Sequence, residues 1–175
     1  ADKLPVGEDF PLNSKDPYGI SKILAEQICD LYANNFNASV TILRQTNIYG
    51  PGQPEKWLIP KIIKNPTKGN LILGDVDVKN DYLYIDDLID LYTLAMKGEE
   101  TGIFNAGTGK SSSARDIINL VSKIKNKEIK FEINKELIRK RENDEMKVDY
   151  SKAKKFFGWS PKTTLERGLK KMIEM

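Results

Sequence analysis

The sequence contains no histidine and only one cysteine among its 175 residues. The absence of histidine excludes a Ser-His-Asp triad, a Cys-His pair, a histidine general base and the usual zinc sites. Cys29 cannot form an internal disulfide, and its place in a helical pattern indicates a small packed residue in a reducing compartment. Acid–base chemistry must therefore use tyrosine, lysine, aspartate or glutamate, and no metal site is predicted.

Long apolar runs and a signal-peptide pattern are also lacking, so we predict a cytoplasmic protein that makes no use of a membrane. Hydrophobic residues make up 39% and charged residues 30% of the chain, which is typical of a globular domain. The net charge is only +3, and the basic groups at 139–141 and 152–155 contain few aromatic residues. These groups are interpreted as solvated faces, and no nucleic-acid partner is predicted.

Strand and helix patterns alternate along the chain, which predicts an α/β fold. Asp16 and Pro17 are a favourable N-cap and first helical residue, and apolar residues at 20, 24, 28 and 31 follow helical spacing. Residues 39–43 form a continuous β-rich run that is typical of a buried parallel strand. The later patterns predict helices over 54–68, from Asp86 or Asp87, from Ser112 or Ser113, over 150–157 and over 165–175. They predict strands over 71–74, 82–85 and 128–133, and a strand with a turn over 102–107.

Tyr18 and Lys22 lie four residues apart at the start of the first helix, so they share a face of it. A nearby ammonium favours the phenolate, and we expect Lys22 to lower the pKa of Tyr18, which would allow it to move a proton from a hydroxyl group. The same spacing occurs again at Tyr150 and Lys154, where a structural role is the simpler interpretation. The pattern alone does not decide between chemistry and structure for Tyr18.

A polar loop rich in glycine and proline, residues 44–52, follows the first predicted strand. Open α/β sheets bind ligands at such strand ends, although an ordinary strand-to-helix turn has a similar composition. A second glycine-containing turn at 107–111 resembles a phosphate loop, but Phe104 and Ser112 occupy the positions at which the phosphate-loop and dinucleotide motifs require glycine. The second turn is therefore interpreted as a turn after a strand.

Five motifs occur in a defined order: the Tyr-x-x-x-Lys helix, Arg-x-x-Asn-x-Tyr-Gly-Pro-Gly at 44–52, Asp-Tyr-Leu-Tyr-Ile-Asp-Asp at 81–87, Phe-Asn-Ala-Gly at 104–107, and Asp-Tyr-Ser-Lys-Ala at 149–153 leading to Phe-Gly-Trp-Ser-Pro at 157–161. Together they resemble the nucleotide-sugar epimerases and dehydratases of the extended short-chain dehydrogenase/reductase family. The resemblance covers nearly the whole chain. It implies the C-terminal part of a Rossmann-like doubly wound parallel sheet with a small α/β substrate-binding lobe.

The resemblance also implies an enzyme that uses NAD to oxidise and re-reduce C4 of a nucleotide-diphosphate hexose. Tyr18 matches the base, and Lys22 matches the lysine that holds the nicotinamide ribose. Ile48 is expected beside the cofactor, together with Tyr18 and Lys22. The residues expected to contact the substrate are Asn47, Lys56, Leu71, Leu73, Arg141 and Asp144. Of these, the two leucines are expected to line the pocket of the nucleobase. Arg141 and Asp144, an Arg-x-x-Asp pair, are expected to bind the diphosphate and the ribose.

Two departures from the family pattern change these expectations. Asn80 stands where an arginine is usual, so one phosphate contact is missing. The glycine-rich turn that holds NAD is not found in residues 1–175, so we expect NAD to be bound mainly by an N-terminal portion that this chain lacks, and the chain by itself to be inactive. The free edge of the first strand is expected to self-associate or to be buried under residues 1–15.

The choice between epimerase and 4,6-dehydratase stays open, and so does a non-catalytic nucleotide-sugar-binding or scaffold module. The epimerase is the preferred interpretation. The expected partners are a nucleotide-diphosphate sugar and a second copy of the chain in a homodimer.

Overall fold

The computed structural model of the protein describes residues 4–64, 71–138 and 143–174. Within these ranges the helices are α1 (Pro17–Phe36), α2 (Leu58–Ile63), α3 (Ile85–Lys97), α4 (Ala114–Lys125), α5 (Ser151–Phe157) and α6 (Leu165–Ile173). The strands are β1 (Thr41–Gln45), β2 (Asn47–Tyr49), β3 (Leu71–Leu73), β4 (Lys79–Tyr84), β5 (Gly102–Ala106), β6 (Ser111–Ser113), β7 (Phe131–Ile133) and β8 (Glu145–Met146).

Helix α1 begins where the sequence predicts. The Asp16 carboxylate accepts a hydrogen bond from the Gly19 backbone N–H at 2.9 Å, and Pro17 occupies the first turn, where no intrahelical donor is needed. Asn37 ends the helix in the left-handed conformation, at φ 50°. These local signals fix both ends of the helix that carries Tyr18.

Strands β1 and β5 are parallel, and a helix contacts each face of the pair. On one face, Arg44 of β1 forms an ion pair with Glu26 of α1 at 2.7 Å. On the other face, Leu43 and Phe104 pack with Leu91 of α3. This helix–sheet–helix arrangement is the predicted α/β architecture.

A second sheet has the strand order β2–β4–β6, with β8 beside β4. Strand β2 runs parallel to β4 in the register Asn47 to Tyr82, whereas β6 is antiparallel to β4. Only Thr46 separates β1 from β2, so one continuous extended segment passes from the first sheet into the second. A third, two-stranded parallel sheet joins β3 and β7.

Two hydrophobic clusters form the core. The larger joins α2, α4, α6 and β3, and its members include Ile62, Ile117, Val121 and Leu169, each fully buried. The smaller lies between β5, α3 and α5 around Trp159, whose indole N–H donates to the Asp87 carbonyl at 2.9 Å. None of the described helices is long and apolar enough to span a membrane.

The structure corrects several sequence-based expectations. Helix α3 begins at Ile85 after the extended residue Tyr84, which provides no side-chain cap, rather than at a cap formed by Asp86 or Asp87. Helix α2 begins at Leu58, four residues later than predicted, and the predicted end over 65–68 lies outside the described residues.

The apolar stripe of α1 is exposed, whereas a stripe with this spacing usually faces a core. Ile20, Leu24, Ile28 and Leu31 are 44–58% exposed, and no described residue of this helix is buried. The helical period was predicted correctly, but within the described residues nothing covers this face. Strand β1 likewise has a hydrogen-bonded strand on one side only in the described ranges. The lead-in segment bonds to Asn105 of β5 and bridges to Val148, and it reaches β1 only where the Glu8 carbonyl accepts from the Arg44 side chain at 2.8 Å.

Candidate active site

A cavity of about 660 Å³ opens beside the junction of β1 and β2. Its size is within the range of ~300–1,000 Å³ that is usual for small-molecule sites. Polar and apolar side chains share its wall. The lining residues are Tyr18, Gln45, Thr46, Asn47, Ile48, Tyr49, Gln53, Trp57, Leu58, Ile59, Gly74, Asp75, Val78, Asn80, Tyr82, Ala114 and Leu137.

Tyr18 reaches this cavity from the first turn of α1. Its side chain is 72% exposed, and the Lys22 ammonium lies 5.3 Å from the centre of its ring. The structure therefore brings the phenol together with the strand residues Asn47 and Ile48, as expected for a site at a strand end. Asn47 also donates a long hydrogen bond, 3.4 Å, to the Asp81 carbonyl of the neighbouring strand.

The second copy of the Tyr-x-x-x-Lys pattern lies in different surroundings. Tyr150 precedes α5 and packs edge-on against the buried Trp159, with ring centres 5.8 Å apart. Its backbone carbonyl also accepts a hydrogen bond from the Lys154 N–H. Tyr150 therefore stabilises the smaller core cluster and takes no part in lining the cavity described above.

A tight turn links β2 to the segment that precedes α2. The Gln53 N–H bonds back to the Gly50 carbonyl across Pro51 and Gly52, and Gly52 has φ 78°, which favours glycine. Gly50 is also needed for space, because a Cβ there would overlap the Ile85 side chain. The turn brings Gln53 back to β2, where its side-chain amide donates to the Ile48 carbonyl at 3.1 Å.

Gln53 is one of the residues that sequence reasoning missed. Its Oε1 is buried and has no hydrogen-bond partner among the described residues, and the side chain forms part of the cavity wall. The amide orientation is fixed because the Ile48 carbonyl can only accept. No short-range signal marks this residue, because its role depends on a turn that folds it back onto the strand.

Lys56 and Trp57 follow the turn. The Trp57 side chain is 54% exposed and lines the cavity, and the Lys56 ammonium lies 5.8 Å from the centre of its ring. Lys56, predicted to contact substrate, is therefore near the cavity without being part of its wall. The place of Trp57 in the cavity wall was not predicted, because the sequence indicates only that it lies near the start of a helix.

Leu71 and Leu73 are placed in the larger core cluster, where they are 3% and 6% exposed. Neither lines the cavity, although Gly74 and Asp75, which follow them, do. Their assignment to a base pocket stays a prediction. Ile72 between them points outwards and is 46% exposed, as strand alternation requires.

Arg141 lies outside the described residues. Asp144 is exposed, and its backbone carbonyl accepts a hydrogen bond from the Lys79 N–H at 2.9 Å. Strand β8 begins at the next residue and pairs with Lys79 and Asn80 of β4. Asn80 lines the cavity, so the segment that carries Asp144 is held against one of its walls.

The glycine-containing turn at 107–109 is organised around a carboxylate of the protein itself. Asp81 is 1% exposed and accepts hydrogen bonds from the N–H groups of Thr108 and Gly109 at 2.9–3.0 Å and from the Thr108 hydroxyl at 2.6 Å. Burial raises the pKa of the Asp81 carboxyl, and these donors oppose the rise. The amide groups that a phosphate would use in this turn already donate to Asp81. This agrees with the absence from the sequence of the glycines that the phosphate-loop and dinucleotide motifs require.

Within the described residues, no group of acidic or cysteine side chains is arranged to hold a metal ion. Tyr49 lines the cavity too, but its hydroxyl faces Leu165 and Gly168 of α6 and is poorly suited to titrate. Burial is the main cause that raises its pKa far above the usual value, and the nearby Asp87 charge adds to it.

Comparison with known proteins supports a single family. The family model described as GDP-mannose 4,6 dehydratase matches residues 1–172. The chain is 32% identical to the UDP-glucose 4-epimerase of Lactobacillus helveticus, over 91% of this chain and 54% of that protein. It is 31% identical to the dTDP-D-glucose 4,6-dehydratase of Mus musculus, over 95% of this chain and 49% of that protein.

The fold matches solved structures at similar identity. The UDP-glucose 4-epimerase of Thermotoga maritima, solved with UDP-glucose, superposes with a TM-score of 0.87 at 30% identity, over 97% of this chain and 56% of that one. The α/β fold with parallel sheets predicted from the sequence is confirmed by this likeness. The chain spans about half the length of the curated relatives it matches.

Proposed function

This chain belongs to the GDP-mannose 4,6 dehydratase family, among the nucleotide-sugar epimerases and dehydratases of the extended short-chain dehydrogenases/reductases, and from that membership we infer a nucleotide-sugar 4-epimerase that uses NAD. The proposed reaction oxidises C4 of a nucleotide-diphosphate hexose and reduces it again with the opposite configuration. The observation that carries the proposal is the position of Tyr18, with Lys22 one turn further on, at the cavity that Asn47 also lines.

In this proposal Tyr18 is the catalytic base and acid. Its exposed phenol takes the proton from the C4 hydroxyl during oxidation and returns it during reduction. Lys22 orients the phenol and adds a positive charge beside it, 5.3 Å from the ring centre. No other residue type is required for this proton transfer, which suits a chain without histidine.

The residues around Tyr18 fit the nicotinamide end of NAD. Tyr18 and Ile48 both line the cavity, and the Lys22 ammonium on the same helix face can donate to ribose hydroxyls. When bound, NAD would supply the acceptor for the hydride that leaves the sugar carbon. We propose that residues 1–175 form the catalytic-tyrosine and substrate-binding portion, with NAD held mainly elsewhere in the protein.

The substrate-binding proposal rests on chemistry suited to a nucleotide sugar. Asn47 offers an amide to the substrate from the first residue of β2, and Lys56 offers an ammonium near the cavity. Arg141 and Asp144 would bind the diphosphate and the nucleoside ribose, because a guanidinium fork matches phosphate oxygens. Leu71 and Leu73 would support the base indirectly, through Gly74 and Asp75.

The experiment uses the full-length protein with NAD and a panel of UDP-, dTDP- and GDP-hexoses, with products identified by proton NMR. A 4-epimer supports the proposal. A 4-keto-6-deoxy sugar supports the second candidate, a 4,6-dehydratase, which the description of the matching family model favours. Absence of turnover with all three classes contradicts both.

Replacement of Tyr18 by phenylalanine tests the role of the phenol. We expect the Tyr18→Phe variant to lose kcat by roughly 10²–10⁴-fold, because a positioned acid–base group contributes that much. Its stability should change little, since the side chain is 72% exposed. Tyr32→Phe on the same helix is the matched control, because Tyr32 is exposed and does not line the cavity. If Tyr18→Phe keeps the turnover of the wild type, Tyr18 is not the base. If the wild type shows no turnover and Tyr18→Phe keeps the biological function of the protein, the chain is a binding or scaffold module instead.

A further inference from the structure

The two tryptophans of the chain lie in opposite environments. Trp159 is 2% exposed and holds the smaller core cluster together, whereas the Trp57 side chain is 54% exposed. Tryptophan is on average a highly buried residue, because its indole ring gains much from leaving water. An indole that leaves half of its surface uncovered at the wall of a cavity is therefore suited to bind something else.

The surroundings of Trp57 indicate the chemistry of that ligand. Leu58, Val78 and Leu137 give the same cavity an apolar wall. The Lys56 ammonium lies 5.8 Å from the centre of the indole ring. A flat aromatic surface next to a cation is complementary to a ligand in which a heteroaromatic ring is joined to an anionic group.

The position of Trp57 is fixed by the backbone although its side chain is exposed. Its N–H donates to the Pro54 carbonyl at 3.1 Å, and its carbonyl accepts from the Lys61 N–H at 3.0 Å in the first turn of α2. The buried residues Ile59 and Ile62 anchor that helix in the larger core cluster. The indole is thus presented from a rigid element, which lowers the entropy cost of stacking a ligand on it.

We propose that Trp57 is the stacking platform for the nucleobase of the nucleotide sugar, with Lys56 beside its phosphates. The inference rests on the proposed function, because it assigns a residue to the base in the same cavity. Stacking of a base on an aromatic side chain accounts for about tenfold or more in affinity. Nicotinamide is a heteroaromatic ring with a phosphate nearby as well, and the test separates it from the nucleobase.

The test is a titration of the full-length protein, the Trp57→Phe variant and the Trp57→Leu variant with UDP, dTDP and GDP. Affinity is measured by calorimetry, and the Trp57 signal is taken as the difference in fluorescence between wild type and Trp57→Phe. We expect nucleoside diphosphates to quench that difference signal, and glucose 1-phosphate and nicotinamide mononucleotide to leave it unchanged. Trp57→Leu should weaken nucleoside diphosphate binding about tenfold or more, while Trp57→Phe keeps most of the affinity because it keeps a ring.

Tyr92→Leu is the matched control, since Tyr92 is a similarly exposed aromatic residue on α3, away from the cavity wall. It should bind nucleoside diphosphates as the wild type does. If Trp57→Leu also binds them as tightly as the wild type, or if only nicotinamide mononucleotide quenches Trp57, the assignment of the base is overturned while the proposed function stands. If no nucleoside diphosphate and no nucleotide sugar binds the wild type at millimolar concentration, the assignment of the base and the proposed function are both overturned.

Discussion

At the scale of single residues, Asp81 is a buried charge that joins distant parts of the chain. It lies on β4 between Asn80 and Tyr82, which both line the candidate active site. Its carboxylate holds the 107–109 turn through Thr108 and Gly109, and a longer contact of 3.5 Å reaches the Val148 N–H. The side chain thus ties the cavity wall to two segments distant in sequence.

We predict that Asp81→Asn lowers the free energy of unfolding by about 2–4 kcal/mol. The amide group would place an N–H₂ against N–H donors, so at least one buried hydrogen bond is lost and a donor is left unpaired. Urea unfolding followed by circular dichroism measures the change. Asp90→Asn is the control, because its ion pair with Lys162 is exposed and should be worth less than ~1 kcal/mol. Equal losses in the two variants would contradict the role of Asp81.

Local rules led only part of the way to the residues of the candidate site. The strand-end rule indicated the loop at 44–52, and the capped helix placed Tyr18 and Lys22 on one face, but the family resemblance was needed to assign Asn47 and the role of Tyr18. Gln53, Trp57 and Leu137 were not found, because their position depends on how distant segments pack. The second Tyr-x-x-x-Lys pattern, at Tyr150, also shows what the sequence cannot decide, since spacing alone does not distinguish a core tyrosine from one at a cavity.

At the scale of elements, the start of α4 shows a reciprocal cap. The Ser113 hydroxyl accepts from the Asp116 N–H at 3.1 Å, and the Asp116 carboxylate accepts from the Ser113 N–H at 2.8 Å. The hydrogen bonds from the Ser113 backbone, and then from its side chain, lower the pKa of Asp116 below its usual value. This cap fixes the end of a helix whose inner face, Ile117 and Val121, lies in the larger core cluster.

The lowered pKa gives a prediction with a definite sign. Between the unfolded-state pKa, about 3.9, and the lower folded-state value, the unfolded chain binds more protons, so the stability that Asp116 contributes is lost as the pH falls. We expect wild type to be more stable than Asp116→Asn at pH 7, by about 1 kcal/mol or less, and the difference to shrink between pH 5 and pH 3. Urea unfolding across that range measures it. Parallel stability curves for the two proteins would refute the prediction.

Element types followed from the sequence more reliably than element ends. The starts of α1 and α4 were predicted because Asp16 and Ser113 cap them with their own side chains. The start of α3 was misplaced because its N-cap, Tyr84, contributes only an extended backbone and no side-chain bond. Periodicity also predicted the apolar stripe of α1 correctly, but it carries no information about which surface covers that stripe.

At the scale of the whole molecule, exposed apolar surface is concentrated on α1. Leu24 and Ile28 are 52% and 58% exposed, and Tyr32 stacks on Phe36 with ring centres 5.2 Å apart near the end of the same helix. A contiguous apolar surface of this kind is typical of an interaction face. Strand β1 adds a second exposed feature, because one of its edges has no hydrogen-bonded strand within the described ranges.

We predict that residues 1–175, produced by themselves, form dimers or larger species at micromolar concentration. The helix face should contribute more than the strand edge, since each apolar side chain buried in a contact stabilises it by roughly 25 cal/mol per Å² and β1 is only five residues long. Sedimentation velocity would show the association, and the double variant Leu24→Glu, Ile28→Glu should shift the chain to monomer while its circular dichroism stays unchanged. Lys97→Glu at the end of α3 is the control for altered charge, because it makes the net charge more negative by the same amount, and Lys97 is exposed and lies off the α1 face. Association that persists in the α1 variant would assign the contact to the β1 edge, and a monomeric wild-type chain would contradict both surfaces.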